Sequence, residues 1–497
     1  FLTPTEIVYL SILLTSFFSG FVLRNLNKQL KEISCGLLGL VLVYISCGYH
    51  IIHSLLTTIV SIIILQNVTY KISHYLVFIW CFGYLFVFRS PELFHFSQPN
   101  DITNAVQLIL TLRLIGVAFE MNKSQQIHQH IVTAKPSELI NLYNFKELTA
   151  IDPSGFSIFM YSYCYAGLFT GPYYKFRTLQ DNLEWPDHIP KPTDKFLWRR
   201  LQDLPLNAFL FFVTSYFVNV KILRSEEFYD DTKYNTIYRL GIFAAIFVLF
   251  RLRMYCGWIL SECLCMSFHL GAYPIEAKST SGEGPTDLSA FKEWKQERKL
   301  EKDKKAANKS SKSPSVEEEV DLDQDAYDFK TIENISIWGC EFMPTIREGM
   351  KSWNRTVQYW LAINIYKRCY GPRYFKTFMT MVVSAYWHGL YPGYYLAFVS
   401  IVIALWAESS LEVIVSVLGS CLPPNSLSFV RWIMKMRVFE YCTVAFLIKD
   451  LDTTLKIWST VHYIMHLICF VIIGLAVLLQ VSGIYQKPYS VKKKTHE

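Results

Sequence analysis

Charge is scarce in this sequence. Asp, Glu, Lys and Arg make up 18% of it, against about 25% in ordinary soluble proteins, which argues against a string of water-facing globular domains. The positive excess is small, +7, and its lysines and arginines sit mostly in loops and at helix ends. That suits anionic headgroups and loop topology. No Lys/Arg stripe interleaved with stacking aromatics lies outside the apolar segments, so nucleic acid is not an expected partner. A disulfide framework is also missing. Cys35, Cys47, Cys81, Cys164, Cys256, Cys263, Cys265, Cys442 and Cys469 lie in apolar runs, where cysteine acts as a small hydrophobe. Cys263-Leu-Cys265 lacks zinc-site spacing and has no matching Cys/His pair, so no metal site is expected. No Ser or Cys stands beside a base in the pattern of a covalent nucleophile. No internal repeat of the transporter kind is evident.

What is present is apolar sequence, 52% hydrophobic and 16% aromatic. Candidate spans are Ile7–Leu23, Ile33–Cys47, Ile51–Val68, Tyr75–Phe88, Ala105–Phe119, Ser157–Thr170, Leu206–Val220, Leu240–Phe250 running into Met254–Leu270, Phe375–Tyr386, Tyr394–Leu418, Phe429–Ile448 and Trp458–Val481. A straight span needs about 20 residues, and several of these are shorter. Short runs with Gly-Pro breaks read as tilted or re-entrant helices lining a cavity. The expectation is an all-α polytopic membrane protein with about ten to twelve transmembrane and re-entrant helices around a central cavity. Ile7–Leu23 has no small-residue cleavage site after it, and its basic flank (Arg24, Lys28, Lys31) follows it. It therefore reads as a retained first helix.

Glu276 to Asp325 is polar, with a Lys-rich half leading to an acidic half (Glu317 to Glu319, Asp321, Asp323, Asp325). It holds too little apolar area to offset ordering, which predicts a mobile loop, with a solvated helix over Phe291 to Lys305. The expected organisation is one membrane domain: N-terminal helices over 1–275, a polar loop over 276–336, C-terminal helices over 337–485 and a basic tail over 486–497. Lys492 to Lys494 in that tail fits a cytosolic end and resembles a lysine-based retrieval signal for the endoplasmic reticulum.

Two polar residues interrupt the apolar pattern. His388 ends an apolar run at Ser384 to Tyr395 (SAYWHGLYPGYY), where Gly389, Pro392 and Gly393 break a helix. An ionisable group at membrane depth marks a working site. A core ring satisfied by backbone, or one at headgroup level, fits the same position. Asn354, in Gly349 to Leu361 (GMKSWNRTVQYWL), shares a predicted helix face with Met350, Val357 and Leu361. Its amide needs partners, as an interhelical asparagine would. Asn354-Arg-Thr356, Asn67-Val-Thr69 and Asn334-Ile-Ser336 also match the glycosylation sequon.

Trp353-Asn354 and Tyr386-Trp387-His388-Gly389, read with Asn104 to Leu112 (NAVQLILTL), Tyr161 to Gly167 (YSYCYAG) and Thr170 to Thr178 (TGPYYKFRT), resemble the membrane-bound O-acyltransferase family. The branch most similar is the one that acylates lysophosphatidylinositol. The resemblance extends over nearly the whole chain and departs in the polar loop and the far C-terminus.

It implies acyl transfer from acyl-CoA, as a co-substrate with no bound cofactor, to the sn-2 hydroxyl of lysophosphatidylinositol. The implied donor is polyunsaturated, such as arachidonoyl, and the implied home is the endoplasmic-reticulum membrane, with membrane lipids as partners. His388 would be the general base, since imidazole titrates near neutrality. Asn354 would orient the alcohol or the imidazole, or donate to the developing oxyanion. Trp353, Gln358, Tyr386 and Trp387 would line the substrate site. Lys175, Arg177, Arg251 and Arg253 are candidates for phosphate contacts, or for snorkelling anchors. Glu262 would pair with one of those arginines or orient a headgroup. Tyr161, Tyr163, Tyr165, Tyr173 and Tyr174 would line a channel or belong to an aromatic belt. Three rivals stand beside this reading: another lysophospholipid headgroup, a transporter with a His388–Arg113–Glu262 relay, and a silent scaffold.

Overall fold

The computed structural model describes residues 3–185, 194–309, 327–418 and 424–485. The acidic half of the polar segment and the Lys492–Lys494 tail lie outside the described residues. Helices dominate; the one named sheet among the described residues pairs Tyr273–Pro274 with Tyr327–Asp328, antiparallel. Among the described residues, eight stretches are long and apolar enough to cross a bilayer: Pro4–Leu23, Lys28–Asn67, Tyr70–Arg89, Asp101–Thr133, Lys195–Arg224, Thr236–Ser267, Pro392–Val417 and Ile464–Val481. The chain is thus an all-α, multi-pass membrane protein. The expected ten to twelve helices include shorter or more charged segments. Ser157–Thr170 becomes the nine-residue helix Gly155–Tyr163 and a loop, and Phe375–Tyr386 lies in the 16-residue helix Arg373–His388. Pro424–Ile448 carries Arg431, Lys435, Arg437 and Glu440.

The chain divides into two compact units. The first comprises Phe1–Tyr216, Arg251–Ser336 and Ser352–Arg368; the second comprises Phe217–Phe250, Ile337–Lys351 and Cys369–Glu497. These divisions do not follow the expected boundaries at 275 and 337. The long helix Thr236–Ser267 contributes to both units, and the Asn354 segment belongs to the first.

In the first unit, Lys28–Cys47 lies close against Gly155–Tyr163 because Gly36 and Gly39 carry no side chain; a Cβ on Gly39 would strike the Tyr163 carbonyl. The second unit has a core of Phe228, Phe243, Ala404, Tyr441, Val444 and Trp458. Leu206, Phe209 and Phe212 on Asp203–Phe217, and Phe470 and Leu478 on Ile464–Val481, are exposed, as a lipid-facing surface requires.

Breaking helices in a membrane strands backbone groups at their ends, and buried charges satisfy them. In the first unit, Arg113 donates to the carbonyls of Tyr161 (3.1 Å), Ser162 (3.2 Å), Cys164 (2.8 Å) and Ala166 around the end of the Gly155–Tyr163 helix. Glu120 accepts the N–H groups of Phe176 (3.0 Å) and Arg177 (3.2 Å) at the start of Phe176–Leu183, and Lys31 donates to Asn182 O (3.0 Å) near its end. In the second unit, Glu408 accepts from Ile346 N–H (2.5 Å) at the start of Ile346–Ser352. Lys435 donates to the carbonyls of Cys340 (2.7 Å) and Met343 (2.7 Å) at the end of Ile337–Phe342. Anions sit at helix starts and cations at helix ends, as the helix dipole favours.

The polar segment departs from the expected loop. A turn from Ile275 leads into a helix over Leu288–Lys309, which contains the predicted Phe291–Lys305 helix. Phe291 and Trp294 are buried against Leu148, Tyr273 and Tyr327. Two aromatics one turn apart supply the apolar area that the surrounding charge conceals. Asp287 caps this helix by accepting from Ala290 N–H (3.2 Å) and Ser289 Oγ (2.9 Å), and it also accepts from Lys278 Nζ (2.9 Å).

Candidate active site

The histidine motif lies in the second unit. Pro372 precedes the helix Arg373–His388, His388 is its last residue, and the next helix begins at Pro392. The expected break is therefore present. His388 is partly exposed and walled by rings: Trp387 at 4.7 Å, Phe446 at 5.1 Å, Phe398 at 5.4 Å and Tyr394 at 5.9 Å between centroids. Trp387 is buried, whereas Tyr386 is partly exposed. Glycine is required at the break by space. A Cβ on Gly389 would come within 2.7 Å of the Tyr394 ring, and one on Gly393 within 2.7 Å of Lys449 Cα. Gly393 N–H donates to Lys449 O at 2.8 Å.

The asparagine motif lies in the first unit and corrects an expectation. Gly349 to Leu361 is not one amphipathic helix. The helix Ile346–Ser352 ends, and Arg355–Leu361 begins after Asn354, whose backbone is left-handed (φ 46°, ψ 51°). Asparagine visits this region more readily than most residues with a side chain. The Met350–Asn354–Val357–Leu361 stripe is therefore not formed; Met350 packs on the core of the second unit. Asn354 is partly exposed and its side chain does not cap the following helix, so the amide is not spent on that role. Trp353 stacks edge-on against Trp258 (4.9 Å) and lies near Tyr255 (6.0 Å). Gln358 donates its N–H to Asn354 O (3.0 Å) and its side-chain amide to Trp353 O (3.4 Å). A π-helical turn, Ala362–Tyr366, follows; such turns often accompany functional sites.

Asn334 is fully buried, which removes the sequon reading there, and Thr356 of the Asn354 sequon is fully buried as well. Asn334 Oδ1 accepts the Thr356 hydroxyl at 2.6 Å. Asn67 is exposed at the end of Ile51–Asn67, with its amide donating to Ile63 O.

The four cations expected at phosphate stand in different surroundings. Lys175 stands over the Tyr359 ring (5.3 Å), on the helix that follows Asn354. Burial pushes its amine below the ordinary value, opposed by the Glu120 carboxylate. Arg177 bonds Asp181 (3.0 Å) and Ala150 O (3.2 Å). It also lines a cavity of about 70 Å³ with Asp181, Tyr273, Phe291, Trp294 and Lys295. Arg253 is exposed and pairs with Glu6 (3.1 Å); Arg251 is partly exposed on the same helix. Glu262 pairs with none of these. It is fully buried and bonds Arg200 (2.7 Å), a residue the sequence did not single out. The tyrosines are core residues: Tyr161 Oη donates to Tyr174 O (2.6 Å), Tyr174 Oη to Ala166 O (2.9 Å), and Tyr163 Oη bonds Ser54 Oγ (2.8 Å).

Comparison with known proteins gives a consistent result. Residues 68–445 match the model of MBOAT, the membrane-bound O-acyltransferase family. The chain is 34% identical to membrane-bound acylglycerophosphatidylinositol O-acyltransferase mboat7 of Xenopus laevis, covering 100% of this chain and 98% of that protein. It is 34% identical to MBOAT7 of Homo sapiens, with the same descriptive name, over 96% and 95% of the two chains. It is 31% identical to frj of Drosophila melanogaster, also so described, over 92% and 89%.

Proposed function

Because the chain belongs to the membrane-bound O-acyltransferase family, we propose that it transfers an acyl group from acyl-CoA to the sn-2 hydroxyl of lysophosphatidylinositol. The observation that carries this reading is the near full-length likeness to relatives named for acylglycerophosphatidylinositol O-acylation. The position of His388 supports it: a partly exposed imidazole ending a helix inside a ring of aromatics. His388 takes the hydroxyl proton as the alcohol attacks the thioester carbonyl. The C–O bond forms, the C–S bond breaks, and the proton passes to the coenzyme A thiolate. Asn354, with its amide not used as a cap, orients the alcohol or imidazole or donates to the oxyanion. Transfer is direct, with no acyl-enzyme. Trp353, Gln358, Tyr386 and Trp387 shape the acceptor site. The donor is polyunsaturated and the enzyme resides in the endoplasmic reticulum, by likeness to its branch.

The test is turnover of labelled acyl-CoA by purified protein with a panel of lysophospholipid headgroups, for wild type, His388→Ala and Asn354→Ala. Each substitution is expected to lower kcat by about 10²–10⁴-fold. Turnover within about tenfold of wild type removes the direct role of that residue. A preference for lysophosphatidylcholine keeps the family chemistry and overturns the inositol headgroup.

A further inference from the structure

Asn354 sits in a left-handed conformation between two short helices, and its side chain makes no cap hydrogen bond there. What holds it is a second strand of backbone. Ser336 N–H donates to Ser352 O (3.0 Å), and Arg355 N–H donates to Asn334 O (2.8 Å). These bonds bracket Trp353 and Asn354 from both sides. The side chains repeat the pairing: Glu333 bonds Arg355 (2.5 Å), and Asn334 Oδ1 accepts both the Thr356 hydroxyl (2.6 Å) and its N–H (3.4 Å). The Thr356 hydroxyl in turn accepts from Tyr173 N–H (3.0 Å), tying the pair to the loop after Gly171-Pro172.

The bracketing segment is itself anchored by charge. One oxygen of Glu262 accepts the N–H groups of Asn334 (2.7 Å) and Ile335 (3.0 Å), and the other accepts from Arg200 (2.7 Å). Arg200 closes the loop by donating to Ile335 O (3.0 Å). Glu262, Asn334 and Thr356 are all fully buried. Burying an ion pair is costly unless its geometry is good and its remaining lone pairs are used, and here they are used on two adjacent backbone amides.

We infer that Glu262, Asn334 and Thr356 are positioning residues, forming a buried clamp that fixes the backbone of Asn354 for acyl transfer. The inference rests on the catalytic assignment of Asn354 above. A misplacement of a reacting group by about 1 Å can cost about 10²-fold in rate, so a clamp two bonds away acts on kcat rather than on substrate affinity.

The test is steady-state kinetics of the full-length protein with lysophosphatidylinositol and acyl-CoA for Thr356→Val, Thr356→Ala, Thr356→Ser, Asn354→Ala and the Asn354→Ala/Thr356→Val double variant. Thr356→Val removes the hydroxyl link at nearly constant shape and is expected to lower kcat about tenfold to a hundredfold with KM within about twofold. Thr356→Ser restores it. The double variant turns over no more slowly than Asn354→Ala, because residues acting through one group are not additive. Should Thr356→Val fail to fold, the smaller Thr356→Ala asks the same question. Wild-type kcat in folded Thr356→Val, or additive losses in the double variant, overturns the clamp and leaves the role of Asn354 intact. Wild-type kcat in Asn354→Ala overturns that role, and the clamp with it.

Discussion

Replacing Arg113 by Met should cost the first unit a large part of its stability. The side chain is fully buried, and its two terminal nitrogens serve four carbonyls and the Tyr174 hydroxyl (3.0 Å). Two of those carbonyls keep a second donor: Tyr161 O has Cys164 N–H at 3.2 Å, and Ala166 O has Tyr174 Oη at 2.9 Å. Counting only Ser162 O and Cys164 O, at about 1–3 kcal/mol for each buried group left unsatisfied, the loss is about 2–6 kcal/mol. Partners available to the unfolded chain in lipid draw this toward the lower end. Arg113→Lys should fall between, since one ammonium cannot span the fork of a guanidinium. The assay is thermal unfolding in detergent followed by size exclusion, where Arg113→Met is expected to melt a few °C or more below wild type. Unchanged melting refutes the reasoning. It would also reopen Arg113 as a group free to relay charge.

Gly389→Ala places a methyl 2.7 Å from the Tyr394 ring that flanks His388; it should lower kcat about tenfold or more and, as overpacking, cost about 1–3 kcal/mol of stability, checked by parallel kinetics and unfolding. Trp294→Ala removes an aromatic that seats the Leu288–Lys309 helix, a loss of about 3–5 kcal/mol for a core aromatic; limited proteolysis should then cut that segment first. Burial depresses the Lys295 amine, with Asp181 opposing and Arg177 assisting. Below its depressed folded value, the charged amine costs the folded state stability. Stability should therefore rise as pH climbs from that value toward the ordinary lysine value near 10.4. Lys295→Met should abolish this rise in pH-dependent melting.

The helix break at His388 was legible because Gly389, Pro392 and Gly393 are local signals. Asn354 was legible as an interruption but misplaced, because helical periodicity runs through Gly349 to Leu361 and cannot register one left-handed residue. Of its supports only Glu262 stood out, and its partner did not: it pairs with Arg200. Asn334 offered only a sequon, and Arg200 stands 62 residues from Glu262 along the chain, a pairing no local pattern encodes. The polar segment misled for a related reason: average charge hides two aromatics whose partners, Leu148 and Tyr327, lie elsewhere in the chain. Charges inside apolar runs read as function by default, yet Arg113, Glu120, Glu408 and Lys435 serve backbone ends.

The division of the chain has a consequence for biosynthesis. The last stretch of the first unit ends at Arg368. Every partner of Asn354 in the clamp has therefore been translated before the first residue of the Arg373–His388 helix. A ribosome stalled after residue 368 would already have supplied the complete asparagine half, and no part of the histidine motif.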